Sequence, residues 1–166
     1  SKLKINLDIL LHYFSEMIEN NYSVLYIVST PIGNLKDITY RAVEVLSSVD
    51  FIASEDTRRT NILLKHYGIR KKLICYNDIN KKRVTLKIIN ELREKNSAAL
   101  VTDSGTPGIS DPMYYLVKNA IVESIKIIPV PGPSALLAGI VTSGLPNDRF
   151  TFEGFIPARK GRRKRF

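Results

Sequence analysis

The sequence predicts an α/β domain in which a mainly parallel sheet of about five strands is flanked by helices. Short apolar segments rich in β-branched residues alternate with amphipathic segments along the 166 residues, and this alternation is typical of parallel strands joined by helices. Three of the apolar segments end in loops rich in glycine and proline, which is where open α/β sheets bind ligands. The length is sufficient for one domain with a buried core.

The predicted elements follow a regular order from the amino terminus. Residues 3–20 carry apolar side chains at three- and four-residue steps, which predicts an extra amphipathic helix before the sheet. Strands are expected at 24–28, 51–53, 73–76, 98–102 and 125–130. Helices are expected from Asp37 or Thr39 to about Ser48, from the segment 54–60 to Gly68, over 80–95, from Pro112 to about Ser124, and from Pro133 to Gly144. The alternating segment Arg149–Phe155 predicts one further strand.

The net charge of +9 favours an anionic partner such as a nucleic acid. The segment 159–165 places six basic residues in seven positions, and smaller basic clusters lie at 70–72 and 81–83. We expect three parts in the chain: a helical extension over residues 1–22, an α/β domain over 23–156, and the start of a linker or second domain over 157–166.

The composition argues against several classes of protein. No apolar segment approaches the roughly 18 residues of a membrane span, and charged residues interrupt the amino-terminal segment, so we expect neither a membrane protein nor a signal peptide. The single cysteine, Cys75, excludes an intrachain disulfide framework and fits a reducing compartment. Cys75 lies in an apolar segment, so we expect its thiol to be buried. Because His12 and His66 are far apart, no metal-binding spacing is present, and we expect a cytoplasmic protein without a metal.

Three loops after predicted strands, at 30–34, 103–111 and 131–135, are rich in glycine, proline and small polar residues. Because parallel strands end at the same edge of a sheet, these loops should form one cleft of backbone amides, prolines and small side chains. Such a cleft suits a nucleoside-like cofactor held mainly by backbone hydrogen bonds. Asp111 and Pro112 fit the N-cap and the first position of the following helix. The sequence lacks the glycine fingerprint of NAD-binding domains, the P-loop and the nucleophile elbow of α/β hydrolases.

Four motifs carry a resemblance to a known family: TPIGNLKDIT, SEDTRRTNILL, VTDSGTPGISDP and VPGPSALLAG. In this order they resemble the tetrapyrrole methylase superfamily over residues 24–166, and more closely its ribosomal RNA branch. The resemblance implies a two-domain homodimer that binds S-adenosylmethionine between its domains and methylates the ribose 2′-oxygen of a cytidine in small-subunit ribosomal RNA. It also implies that this chain corresponds to the amino-terminal domain and the first residues of the second, so we expect no methyl transfer from residues 1–166 alone.

The resemblance also assigns residues to the cofactor. The positions that match its cofactor-binding motifs are Pro31, Ser104, Gly105, Thr106, Ile109, Ser134 and Ala135. Thr106 stands where the tetrapyrrole enzymes commonly have an aspartate, which favours RNA over a tetrapyrrole as the substrate. The expected α/β domain over 23–156 is therefore a cofactor-binding domain.

Methyl transfer from a sulfonium requires an aligned oxygen nucleophile and little covalent help from the protein. A ribose 2′-hydroxyl is a poor nucleophile unless its proton is removed as the bond forms, so a base is needed. We expect Glu55 or Asp103 to be this base, and Asp111 to cap a helix instead. Six basic residues are expected to bind RNA phosphates, with a solvated surface as the alternative for the first two and a solvated linker for the other four: Arg58, Arg59, Arg159, Lys160, Arg162 and Arg163.

Three other functions remain open at this point. A tetrapyrrole methylase of the same fold would use the same cofactor with a small-molecule substrate, and a non-catalytic RNA-binding module would need no cofactor. A nucleotide-dependent oxidoreductase is the third. The basic segment after residue 158 and the SEDTRRT motif favour RNA, whereas the sequence has no stacking aromatic residues interleaved with basic ones, which would favour an RNA-binding module.

Overall fold

The computed structural model describes residues 23–109 and 111–156, and within them it confirms the predicted α/β fold. The strands are β1 Val24–Val28, β2 Phe51–Ser54, β3 Lys72–Cys75, β4 Ser97–Val101 and β5 Lys126–Val130. The helices are α1 Tyr40–Ser48, α2 Thr57–His66, α3 Lys81–Arg93, α4 Tyr114–Val122 and α5 Ala135–Thr142, with a short 3-10 helix at Leu35–Asp37. Each of these strands lies within one residue of its expected ends.

All five strands form one sheet in the order β3-β2-β4-β1-β5, and every neighbouring pair is parallel. The mainly parallel sheet expected from the sequence is therefore confirmed. Because the strands share one direction, the loops that follow them all lie at the same edge, which we call the carboxyl edge. β4 lies at the centre of this edge, between β2 and β1.

Helices cover both faces of the sheet because the strands bury apolar side chains on both. Leu100 of β4 belongs to one core cluster with Ile88 of α3 and Leu116 of α4. Its neighbour Val101 belongs to a second cluster, with Leu46 of α1, on the opposite face. Successive side chains of a strand point to opposite faces, so a strand covered on both faces is apolar without interruption.

The start of α1 is set by a side chain. Thr39 Oγ1 accepts a hydrogen bond from the backbone nitrogen of Ala42 at 3.1 Å, so Thr39 is the N-cap. Asp37, the alternative from the sequence, instead ends the 3-10 helix.

The start of α4 differs from the expectation. The helix begins at Tyr114, two residues after Pro112, and its N-cap position is Met113 rather than Asp111. Asp111 still accepts hydrogen bonds from the backbone nitrogens of Gly108 and Met113, at 2.7 and 2.8 Å. The carboxylate thus closes the preceding loop and holds the turn that leads into the helix.

The predicted strand at Arg149–Phe155 is wrong, because the chain has no regular secondary structure there. The side chains of Phe150 and Phe152 are about half exposed. An alternating pattern forms a strand only where a neighbouring strand supplies hydrogen bonds and one face is buried. Within the described ranges, this segment pairs with no strand.

The expected burial of Cys75 is also wrong, since this cysteine is exposed. Cys75 is the last residue of β3, which among the described residues has a neighbouring strand on one side only. An apolar segment in the sequence therefore overestimates burial at the edge of a sheet.

Several expectations concern residues outside the described ranges. The amphipathic helix at 3–20 lies there, and so do the proposed extension at 1–22 and the proposed linker at 157–166. Among the residues that are described, no helix is long and apolar enough to cross a membrane.

Candidate active site

Two loops at the carboxyl edge are joined by their backbones. The backbone nitrogen of Thr30, after β1, donates to the carbonyl oxygen of Gly105, after β4, and Gly105 donates back to Thr30, both at 2.9 Å. Thr30 Oγ1 also donates to the carbonyl oxygen of Thr102 at 3.2 Å. Thr30 and Gly105 are buried, so this link is shielded from water.

The third loop reaches the same point through Thr106. The hydroxyl of Thr106 lies 2.9 Å from that of Ser29, and it donates to the carbonyl oxygen of Pro133 at 3.3 Å. Each hydroxyl has one hydrogen to donate, so Ser29 donates to Thr106 and Thr106 donates to Pro133. A Cβ on Gly132 would lie 3.0 Å from Cβ of Ser29, and the small residue allows this close approach. The three loops therefore meet where the sequence predicts a shared cleft.

The residues expected to bind a cofactor surround this junction unequally. Gly105 and Thr106 form it, and Ser134 caps α5 by accepting from the backbone nitrogen of Leu137 at 3.5 Å. Pro31 is half-buried, whereas the remaining three expected residues are exposed: Ser104, Ile109 and Ala135. The structure brings the loops of all seven residues together, and the role of each residue stays a prediction.

A cleft of about 210 Å³ opens between the first loop and α2. Its lining includes Pro31 and Leu35 from the first loop, Arg59 from α2, and Thr102 and Asp103 after β4. The helix also contributes Ile62 and Leu63, so apolar side chains line both walls and the polar and charged groups lie among them. A cleft with both kinds of group suits a ligand that has an aromatic or apolar group as well as hydroxyl groups.

The two carboxylates proposed as the base differ in their surroundings: Asp103 lines the cleft, whereas Glu55 is linked to it through Thr102. Asp103 accepts from the backbone nitrogen of Asp56 at 3.1 Å, and its other oxygen forms an ion pair with Arg59 at 3.5 Å. Glu55 accepts one hydrogen bond, from the hydroxyl of Thr102 at 3.3 Å. Burial, followed by the negative charge of Asp103, raises the pKa of Glu55 above its usual value. Glu55 therefore binds a proton more readily than an exposed glutamate.

The basic residues of α2 are paired with acids rather than fully solvated. Arg58 forms an ion pair with Asp56 at 2.7 Å, and the hydrogen bonds from Arg58 lower the pKa of Asp56 to about 2. Arg59 pairs with Asp103 as described above. The side chains of Arg58 and Arg59 nevertheless remain 88% and 67% exposed, so both still reach solvent at the carboxyl edge.

Asp111, in the loop that follows β4, has a structural role. Burial raises the pKa of Asp111, while its hydrogen bonds to the backbone of Met113 and Gly108 act in the opposite direction. Both of its oxygens accept hydrogen bonds from the backbone around the loop. The basic residues Arg159, Lys160, Arg162 and Arg163 lie outside the described ranges.

Sequence reasoning missed Ser29, which lies outside the three predicted loops, and it did not single out Gly132 within the loop 131–135. Ser29 is 2% exposed, and its position directly after a buried strand was the available signal. The closeness of Gly132 to Ser29 depends on the pairing of β1 with β5, which the sequence does not reveal. In the part of the chain that the structure describes, no group of three or more His, Cys, Asp or Glu residues is placed to hold a metal ion.

The fold and the three loops match those of one family of methylases, and this family is of the S-adenosylmethionine-dependent kind. The family model described as Tetrapyrrole (Corrin/Porphyrin) Methylases matches residues 24–165, so the chain belongs to the tetrapyrrole methylase family.

Among curated proteins, the chain is similar to two named Ribosomal RNA small subunit methyltransferase I. The protein from Escherichia coli O157:H7 is 49% identical over 146 residues, which cover 87% of this chain and 51% of that protein. The protein from Buchnera aphidicola subsp. Schizaphis graminum is 51% identical over 141 residues, covering 85% and 50%. The chain thus spans about half the length of the curated relatives it matches.

Solved structures agree on the fold. Diphthine synthase matches with a TM-score of 0.62 at 20% identity, over 78% of this chain and 52% of that one. A cobalt precorrin-4 methyltransferase matches with a TM-score of 0.61 at 17% identity, over 75% and 52%. At these identities the likeness establishes the architecture alone.

The hydrogen bonds that join the Thr106 hydroxyl to Ser29 and Pro133, which we call the hydroxyl bridge, lead to a prediction. Thr106→Val keeps the shape of the side chain but removes the bonds to Ser29 and Pro133, so the free energy of unfolding should fall by about 1 kcal/mol. Thr142→Val is the control, because the exposed Thr142 hydroxyl bonds only within α5 and its loss should change stability by less than about 0.5 kcal/mol. Denaturant titration of both variants measures the difference. Equal losses would mean that the bridge adds no stability.

Proposed function

We propose that the chain is the cofactor-binding part of a methyltransferase that uses S-adenosylmethionine to methylate the 2′-oxygen of a cytidine ribose in small-subunit ribosomal RNA. The observation that carries this proposal is the junction of three loops, held by hydroxyl and backbone groups, beside a cleft that is lined by Asp103 and Thr102, the hydrogen-bond partner of Glu55. The relatives that share about half of their aligned residues with the chain are named for small-subunit ribosomal RNA. This supports an RNA substrate over a tetrapyrrole.

The residues of the junction fit a nucleoside cofactor. A Cβ on Gly105 would lie 3.5 Å from Cγ2 of Ile32 and 3.9 Å from the carbonyl oxygen of Pro133. A side chain at this position would extend between the first and third loops, where we propose that an adenosine group approaches the backbone. Ser104, Thr106, Ile109, Ser134 and Ala135 would hold S-adenosylmethionine around this position, together with Pro31. When bound, this cofactor supplies an electrophilic methyl group on a sulfonium.

Of the two carboxylates, we assign the base to Glu55. One oxygen of Asp103 pairs with Arg59 and the other accepts from the backbone nitrogen of Asp56, so both oxygens already have partners. Glu55 has one hydrogen bond and a raised pKa. A base with a raised pKa is better matched to a hydroxyl proton near neutral pH. Glu55 would take the proton of the ribose 2′-hydroxyl as the oxygen attacks, while Asp103 holds Arg59 in position.

RNA binding is assigned to the exposed basic residues. Arg58 and Arg59 reach solvent at the edge that carries the cleft, and a phosphate would compete with their carboxylate partners. Four residues of the basic segment 159–165 would add contacts to RNA phosphates that do not depend on the RNA sequence: Arg159, Lys160, Arg162 and Arg163.

We also propose a second domain and a homodimer, a cytoplasmic location, and the division of the chain into three parts, 1–22, 23–156 and 157–166.

The substrate class is tested with S-adenosylmethionine labelled in its methyl group. The protein in its full natural length should label small ribosomal subunits and leave a reduced tetrapyrrole unlabelled. Digestion of the RNA should recover the label as 2′-O-methylcytidine. Residues 1–166 alone should fold but transfer no label. Label on the tetrapyrrole would replace RNA by a small molecule as the substrate, and no label on either would leave a binding function.

The cofactor site is tested by a pair of glycine variants. Gly105 and Gly108 both have a positive φ, +80° and +90°, so valine strains the backbone similarly at each. Only at Gly105 does the new side chain extend between the loops. Gly105→Val should therefore weaken S-adenosylmethionine binding about tenfold or more, whereas Gly108→Val should bind nearly as the parent does. Calorimetric titration that gives both variants the same affinity would contradict the assignment.

The base is tested by Glu55→Gln. The rate of methyl transfer should fall by about 10²–10⁴-fold, while the affinity for S-adenosylmethionine stays near that of the parent. In the parent, the rate should rise with pH as Glu55 loses its proton, above the range of an ordinary glutamate, and the variant should lack this rise. A rise that survives in Glu55→Gln would transfer the role to Asp103.

Stability supplies a second measurement on the same variant. Because the pKa of Glu55 is raised in the folded chain, the group favours folding below its ordinary pKa, and this contribution is lost as pH rises through the raised value. Glu55→Gln should therefore lose less stability than the parent over that interval, as measured by denaturant titration at a series of pH values.

A further inference from the structure

We propose that Lys82 and Arg83, in the first turn of α3, bind RNA phosphates and extend the RNA-binding surface from α2 across β3. The inference rests on the proposed function, because it assumes an RNA substrate at the carboxyl edge. It concerns the basic cluster at 81–83, which is separate in sequence from both the SEDTRRT motif and the basic segment 159–165.

The sheet brings the start of α3 beside the start of α2. β2 and β3 are parallel neighbours whose last residues, Ser54 and Cys75, are paired. Just beyond the strands, Tyr76 donates to the carbonyl oxygen of Ser54 at 2.8 Å, and the thiol of Cys75 lies 3.5 Å from the carbonyl oxygen of Glu55. The loops that lead into α2 and α3 therefore leave the sheet side by side.

Electrostatics supports the same proximity. The negative charge of Asp78, in the loop before α3, contributes to the raised pKa values of both Glu55 and Asp111. An RNA strand that reaches the cleft beside Glu55 would pass close to this loop. Basic side chains at the start of α3 would then reach the nucleotides on either side of the one that is methylated.

The cations at this edge differ in whether they have an acidic partner. Three cations of this edge have intramolecular partners. Arg58 pairs with Asp56 at 2.7 Å, and Arg59 pairs with Asp103 at 3.5 Å. Lys81 pairs with Asp78 at 2.8 Å. The next two residues, Lys82 and Arg83, are exposed. Neither forms an ion pair within residues 23–109 and 111–156.

Helix stability does not account for these two cations. Positive charges are disfavoured in the first turn of a helix, where the backbone dipole is itself positive. The first turn of α3 has no acidic residue to offset them. A local preference that is violated without intramolecular compensation is expected at functional surfaces, and RNA phosphates would supply the missing negative charge.

The other small basic cluster provides the contrast. Residues 70–72 lead into β3, whose first residue is Lys72, and lie at the opposite edge of the sheet, about 13 Å away along a four-residue strand. Lys72 is already paired with Glu91 at 3.0 Å and lies over the ring of Phe51. The two clusters look alike in the sequence, but only one of them shares an edge with the cleft.

The experiment compares two double variants that remove the same charge. In the protein in its full natural length, Lys82→Ala with Arg83→Ala should weaken binding of a fluorescently labelled segment of small-subunit ribosomal RNA. The slope of log affinity against log salt should flatten by roughly 0.7 to 0.9 for each lost contact. The matched control, Arg70→Ala with Lys71→Ala, should leave affinity and slope unchanged. Lys82→Arg with Arg83→Lys keeps both charges and should behave as the parent does.

The outcomes separate this inference from the proposed function. An unchanged slope in Lys82→Ala with Arg83→Ala, in a protein that still methylates RNA, would overturn the inference and leave the function intact. Equal weakening by the control pair would also overturn it, because RNA would then respond to total charge rather than to this surface. A parent protein that binds no RNA would refute both proposals. S-adenosylmethionine affinity and thermal unfolding, expected to match the parent, exclude misfolding as the cause.

Discussion

The pair of hydrogen bonds between the backbones of Thr30 and Gly105 is the constraint on which the candidate site depends. β1 leads to α1 on one face of the sheet, and β4 leads to α4 on the other, so their loops would diverge without a link. The link is buried, and a buried amide that loses its partner costs roughly 1–3 kcal/mol. Because Thr30 lines the cleft and Gly105 precedes Thr106, the cleft and the three-loop junction keep a defined position relative to each other.

The two sides of this link have different chemistry. On the side of Thr106, the loops are held by hydroxyls and backbone groups, and no charged side chain takes part in the bonds among Ser29, Thr106 and Pro133. On the side of α2, the cleft is lined by Asp103, Arg59 and Thr102, and the hydroxyl of Thr102 donates to Glu55. Holding a cofactor by its contact with the backbone requires no charge, whereas accepting a proton and binding phosphate both require it. In the proposed function, this division separates the methyl donor from the groups that activate the acceptor.

Local signals predicted well those elements that are covered on both faces. The five strands were recognisable because β-branched apolar segments end in glycine and proline, and Thr39, Asp56 and Ser134 cap helices as short polar side chains do. The failures fall where coverage is incomplete. Cys75 is at the end of an edge strand, and the alternating segment 149–155 has no strand beside it among the described residues. A periodic apolar pattern indicates which side chains tend to be buried, but burial also requires a neighbouring strand or helix to pack against.

By itself, then, the sequence determined the class of fold, the three loops of the carboxyl edge and the motifs that identify the family, because each of these depends on residues close together in the chain. The tertiary structure decided what depends on strand order. It put β4 between β2 and β1, and so brought Thr30 to Gly105 and Asp103 to Arg59. It also gave the two carboxylates different partners and separated two similar basic clusters to opposite edges. Pairing between distant segments leaves no periodic trace in the sequence, because it is set by which strands are neighbours and how far each side chain reaches.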